Sequence, residues 1–148
     1  MEILAPCAGR VIAMPDVQDP VFSEQLAGPG VGIEPVGGAS HVLAPANGVL
    51  LSVKPHAFIV LVGGSVGILV HIGINTVELG GEGFELLAAQ GQAVSAGDPV
   101  VGWNPDMISG DNVLTTVVVA VMDHAPDSIV TDKIEQDVAP GDVLFQLG

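Results

Sequence analysis

Apolar residues in this chain fall in short blocks, among them GRVIAM, GVGIEP, GVLLSV, AFIVLV, VGILVHIGI, TTVVVAVM and DVLFQL, each cut off by glycine, proline or small polar residues. Blocks rich in valine and isoleucine and bounded by turn formers predict strands. The fold expected is all-β: an antiparallel β-sandwich or barrel with one or two very short helices. GEGFELLAAQGQ is the main helical exception, with Phe84, Leu87 and Ala88 at helical spacing and Gly91 as a stop. NPDMISGDN, from Asn104, predicts a second brief turn. No break in composition divides the chain, so residues 1–148 read as a single domain.

Two patterns recur. LAPCAGRVIAM from Leu4 and LAPANGVLLSV from Leu43 share L-A-P-x-x-G, and VSAGDPVVGW from Val94 and VAPGDVLFQL from Val138 share V-x-x-G-D. Glycine and proline fix the corners of such strand–turn–strand units. Their recurrence predicts internal pseudo-symmetry, and their spacing is too irregular for a solenoid.

Two histidines interrupt the apolar pattern in HAFIVLVGGSVGILVH, where GGS separates two strand-like runs. A two-residue turn at Gly63–Gly64 pairs Val62 with Ser65 and sets His56 directly opposite His71, with Cβ atoms about 5 Å apart. A four-residue loop keeps that register, whereas a three-residue loop shifts it by one and predicts rings on opposite faces. A single histidine in an apolar strand is ordinarily a core residue with satisfied nitrogens. Two apposed rings cost desolvation unless the site opens to solvent and is used.

Two histidines alone are too few for a zinc site; Asp123 would supply the third ligand of a catalytic one, but no H-E-x-x-H or other ligand-spaced motif is present. No metal and no cofactor are therefore expected. G-x-S-x-G is absent too, which leaves serine hydrolase chemistry without support. Histidine-borne phosphoryl transfer fits better: one ring attacks phosphorus, the other donates a hydrogen bond to the phosphoryl oxygens, and Lys54 adds nearby positive charge.

The formal charge of −14, from 17 acidic and three basic residues, speaks against nucleic acid and against an anionic membrane surface. It favours basic protein partners. Cys7 alone makes no internal disulfide, and the N-terminus lacks signal-peptide character, so a cytoplasmic location is expected. No apolar run is long enough to insert in a membrane. His41 and His124 read as surface residues, and Trp103 and Cys7 as packing.

PHAFIV followed by LVHIGINTVELGGEGF resembles the glucose-type enzyme IIA domain of the bacterial phosphoenolpyruvate-dependent sugar phosphotransferase system. The matching segments APCAGRVIAMPDVQDPVFSEQLAGPGVGIEP, LAPANGVL, GQAVSAGDPV, TTVVVAVMD and GDVLFQL extend the likeness nearly end to end. This resemblance implies that His71 is the residue phosphorylated, on its tele nitrogen, by the phosphocarrier HPr, and that a permease IIB domain discharges it. His56 would be the supporting histidine. Val21, Phe22, Ala27, Phe58, Leu69 and Ile72 would line an apolar docking face, with Asp19 on its acidic rim. Lys54 and Asn75 also match partner-facing positions but depart from the family pattern, which has threonine at the first and often aspartate at the second.

The family also implies possible regulatory protein targets. The basic amphipathic tail carried by some members is not seen before the domain, so membrane attachment through it is not expected, and with no enzyme-bearing partner domain in the sequence a free-standing IIA protein is expected. A non-catalytic regulator on the same fold is the alternative, with retention of both histidines against it. A biotinyl or lipoyl carrier with Lys133 as its modified residue fits less well, because Lys133 lies near the C-terminus instead of midway between two halves.

Overall fold

The computed structural model describes residues 1–147. Its first strands are β1 (Glu2–Leu4), β2 (Gly9–Ala13), β3 (Gly30–Pro35) and β4 (Ser40–Leu43). Then follow β5 (Gly48–Lys54), β6 (Ala57–Val62), β7 (Val66–Ile74), β8 (Phe84–Leu86) and β9 (Ala93–Val94). The last are β10 (Pro99–Trp103), β11 (Leu114–Val121), β12 (Asp137–Val138) and β13 (Val143–Gln146). A single helical turn, α1 (Pro20–Ser23), and three 3₁₀ turns complete the secondary structure. All the pairings are antiparallel, so the fold is the predicted all-β sandwich with only very short helices.

Eight strands form the large sheet, in the order β12-β2-β3-β11-β7-β6-β5-β9. Its inner face carries Val11, Val31, Ile33, Phe58, Val60, Ile68, Val70, Ile72, Val117 and Val119, all fully buried. These pack with Ile3, Val42, Val101, Trp103 and Leu144 from the smaller sheets β4-β10-β8 and β1-β13. Each such side chain contributes roughly 1.5–3 kcal/mol on burial.

The repeats form matching structures. In one, Ser95 donates its amide to Asp98 Oδ2 at 2.8 Å, while the Gly97 amide reaches the Ala44 carbonyl at 2.9 Å. In the other, Ala139 donates to Asp142 Oδ2 at 2.8 Å and Gly141 to the Ala5 carbonyl at 2.9 Å. The L-A-P segments also grip each other: the Leu4 amide bonds Pro45 O and the Leu43 amide bonds Pro6 O, both at 2.9 Å. The predicted pseudo-symmetry is thus a reciprocal hydrogen-bonded clasp.

The helix expected in GEGFELLAAQGQ does not form. Gly81 and Gly83 take left-handed conformations at φ +90°, which stops a helix at its start. The next residues become β8, pairing with β10, and Phe84 stacks on Trp103 with ring centroids 6.1 Å apart. Phe84 lies in the strand while Leu87 and Ala88 fall beyond its end, so the apparent helical spacing marks no common apolar face. NPDMISGDN does hold a 3₁₀ turn, Pro105–Met107, capped by the Asn104 side chain.

A second apolar cluster covers part of the outer face of the large sheet. Val118 and Ala120 of β11 alternate outward, where Met14, Val17 and Phe22, from the segment between β2 and β3, bury them together with Ile74. His71 lies at the margin of this cover.

Candidate functional site

β7 carries His71 outward, beside Leu69 and directly opposite Val118 of β11. Two residues later the strand is distorted. Gly73 sits at φ +85°, where an added Cβ would collide with Thr76 Cγ2 and the Leu114 carbonyl. The adjoining β7–β11 ladder slips register between Leu114 and Val117. As a result Ile72 points into the main core while Ile74 joins the outer cluster. This distortion brings the Gly73 carbonyl to 2.6 Å from Nδ1 of His71. A carbonyl can only accept, so Nδ1 carries the proton and Nε2 keeps its lone pair free.

His56 reaches the same ring by a route different from the one predicted. The β6–β7 loop has three residues, Gly63–Ser65, so Val62 pairs with Val66 and Ala57 stands opposite His71. That register was expected to separate the two histidines. It does not, because His56 lies outside the β6 ladder, in the two-residue turn that joins Lys54 to Ala57. Strand alternation therefore does not govern its side chain. The ring centroids of His56 and His71 are 5.4 Å apart and edge-on at 68°. Phe22 lies against the other side of His71, with centroids 5.0 Å apart.

Both rings are biased toward the neutral form. Burial is the main influence lowering the pKa of His71 below its usual 6.5; the Gly73 carbonyl opposes it, His56 lowers it further, and the Asp19 carboxylate raises it. His56 is lowered by burial first and by the Lys54 ammonium second. The outcome is a pair of neutral imidazoles, one with a fixed tautomer and a free nucleophilic nitrogen.

The remaining predicted residues divide by the side of the sheet they occupy. Asp19 caps α1, accepting the Val21 amide on Oδ1 at 2.9 Å. Val21 is 48% exposed, Phe22 is buried against His71, and Ala27 and Leu69 are half-buried in the outer cluster. Lys54 is exposed at the end of β5. Asn75 begins the 3₁₀ turn after β7 in a left-handed conformation, and its side-chain Nδ2 donates to the Asn112 backbone carbonyl at 2.8 Å. Phe58 and Ile72 are corrected: each alternates inward from its strand and is fully buried in the main core, so neither presents its side chain to a partner.

Gly73 does not stand out among the motifs of the sequence, although a glycine two residues beyond a strand histidine is a visible sign of a bulge. Helix α1 was missed as well, despite its Asp–Pro start signal, because a single turn shows no periodicity. Val77 and Leu26 add exposed apolar surface on the turns after β7 and α1, at 58% and 73% exposure. Asp123 lies exposed in the turn after β11, and no trio of histidine, cysteine or acidic side chains is grouped to hold a metal ion among the described residues.

The family model described as phosphoenolpyruvate-dependent sugar phosphotransferase system, EIIA 1 matches residues 1–126. The chain is 36% identical to a glucose-specific EIIA component of Haemophilus influenzae, over 99% of this chain and 89% of that protein. It is 39% identical to part of a glucose-specific EIIBCA component of Corynebacterium glutamicum, over 81% of this chain but only 18% of that longer protein. Among solved structures, glucose permease IIA from Mycoplasma capricolum superposes with a TM-score of 0.87 at 32% identity, covering 98% of this chain and 94% of that one.

A β-sandwich with this likeness over nearly its whole length defines a sugar phosphotransferase component, and the chain belongs to the EIIA 1 family of the phosphoenolpyruvate-dependent system. It is an EIIA component, a phosphocarrier in sugar uptake, and such components act in general between an HPr donor and a IIB acceptor. No helix among the described residues is long and apolar enough to cross a membrane.

Proposed function

We propose that Nε2 of His71 is the phosphoryl acceptor, loaded in the cytoplasm by HPr and unloaded by the IIB domain of a sugar permease. The observation that carries this reading is the 2.6 Å contact from Nδ1 to the Gly73 carbonyl, which leaves Nε2 as the only free ring nitrogen. In the loading step the Nε2 lone pair forms a bond to phosphorus as the N–P bond of the donor phosphohistidine breaks, its electron pair returning to the donor ring. Nδ1 keeps its proton throughout, and the Gly73 carbonyl stabilises the positive charge that develops on the phosphorylated ring.

His56 is the supporting group in this reading, donating a hydrogen bond to the phosphoryl oxygens. Val21, Ala27 and Leu69 supply the apolar docking surface, with Phe22 buried beneath it against His71 and so presenting no side chain to a partner, and with Asp19 facing basic residues of the donor. Lys54 and Asn75 lie at its rim. Intact mass after incubation with phosphoenolpyruvate, enzyme I and HPr tests the assignment: an acid-labile phosphoryl adduct should map to His71 and be absent from His71→Gln. Undiminished labelling of that variant would sink it.

A further inference from the structure

Residues 19–28 place both Phe22 and Asp19 next to His71, yet among the described residues hydrogen bonds tether them to the rest of the molecule at one point. Within this stretch the backbone amides bond only to neighbours in the same stretch. Among the described residues, the only hydrogen bonds leaving it are the two between Gln25 and Asp127: Gln25 Nε2 donates to Asp127 Oδ1 at 2.8 Å, and the Asp127 amide donates to Gln25 Oε1 at 2.7 Å. Both residues adopt left-handed backbone conformations, at φ 58° and 61°, which cost of order 1 kcal/mol or more for a non-glycine residue. Apolar packing of Phe22 and Ala27 on the outer cluster is the other support. Behind the clasp lies a cavity of about 330 Å³, lined by Met14, Gly30 and Ile129 as well as by Gln25 and Asp127. This pocket is partly open to solvent, so the clasp stands beside a surface recess and not against a filled core.

We infer that Gln25 and Asp127 are positioning residues for phosphoryl transfer: their reciprocal pair pins the α1 turn against the loop after β11 and so seats the Phe22 ring on His71. Neither residue touches the reacting atoms. Their effect passes through Phe22, which bounds the ring on one side and excludes water there, and a displacement of about 1 Å at such a position is enough to slow transfer substantially.

The test is an exchange of donors and acceptors in the full chain. Gln25→Glu removes the Nε2 donor and sets two carboxylates face to face. Asp127→Asn in that background supplies a new donor to the introduced carboxylate while keeping the backbone amide bond, and asparagine tolerates the left-handed conformation. Two readouts are followed: NOEs between the rings of Phe22 and His71, and kcat and KM for phosphorylation by HPr. We expect Gln25→Glu to lose the NOEs and to lower kcat/KM on the order of tenfold. The double variant should restore both.

The kinetic readout rests on His71 as the acceptor, whereas the NOEs do not. A wild-type protein that is never phosphorylated overturns the functional proposal and leaves the clasp to be judged by the NOEs. Persistence of the NOEs in Gln25→Glu, or their failure to return in the double variant, overturns the clasp. Both side chains lie at the surface, and a thermal midpoint unchanged across the set separates loss of the clasp from loss of the fold.

Discussion

The amide of Ile72 donates to the carbonyl of His56 at 2.7 Å, so the backbone of His56 is fastened to the strand position next to His71. A turn residue is thereby held as firmly as a ladder residue while its side chain stays free of strand alternation. Substituting the His56 ring should consequently alter chemistry without disturbing the hairpin. We expect His56→Gln to accept phosphate from HPr and to pass it to IIB about tenfold more slowly, the effect of weakening one charge-assisted hydrogen bond. Unchanged transfer in a IIB discharge assay would reject this role.

Gly73 is irreplaceable on two counts. Alanine there takes a left-handed Cβ penalty of about 1–2 kcal/mol, and its Cβ collides with Thr76 and the Leu114 carbonyl. Gly73→Ala should lower the thermal midpoint. It should also slow phosphorylation beyond what the lost stability explains, because the acceptor for Nδ1 moves. Equal rates for folded Gly73→Ala and wild type would remove the tautomer-fixing role.

The depressed pKa of His71 sets the pH behaviour. Below its usual value of 6.5, the unfolded chain takes up a proton that the folded ring resists. This contribution to stability is therefore complete above pH 6.5 and is lost as pH falls toward the lower folded value. Denaturation across pH 5–7 should be steeper with pH for wild type than for His71→Gln. The acid edge of phosphorylation should likewise lie below pH 6.5, and Asp19→Asn should move it lower, since the Asp19 carboxylate favours the protonated ring. An upward move would contradict this linkage.

Lys54 is exposed and acts on His56 through space. Exposed charges are screened over about 8–10 Å at moderate salt. Lys54→Thr should change transfer at physiological salt by less than about fivefold. It should flatten the fall in rate with ionic strength, measured between low and high salt. Identical salt dependence would leave Lys54 without an electrostatic role.

Strands and repeats were legible because their signals are local: valine-rich blocks end at glycine and proline, and each V-x-x-G-D turn closes through its own aspartate. The histidine pair was legible as a pair, but not its geometry. Loop length in GGS and the placement of His56 on a turn depend on how β5 and β6 meet, which residue type alone does not specify. Phe58 and Ile72 were expected at the docking face from the family resemblance, and the sequence offers no check on it because β6 and β7 are apolar on both faces. Only the register tells which face is covered. The GEGFELL strand shows tertiary pairing overriding an apparent helical period. The Gln25–Asp127 pair is separated by most of the chain and leaves no local trace.

The pairing of β1 with β13, Glu2 against Gln146, has a kinetic consequence. Strands so far apart in sequence close a very large loop, which yields no contacts until the intervening strands are ordered. This fold should form slowly for its size, in roughly milliseconds to seconds, with the β1–β13 ladder zipping late.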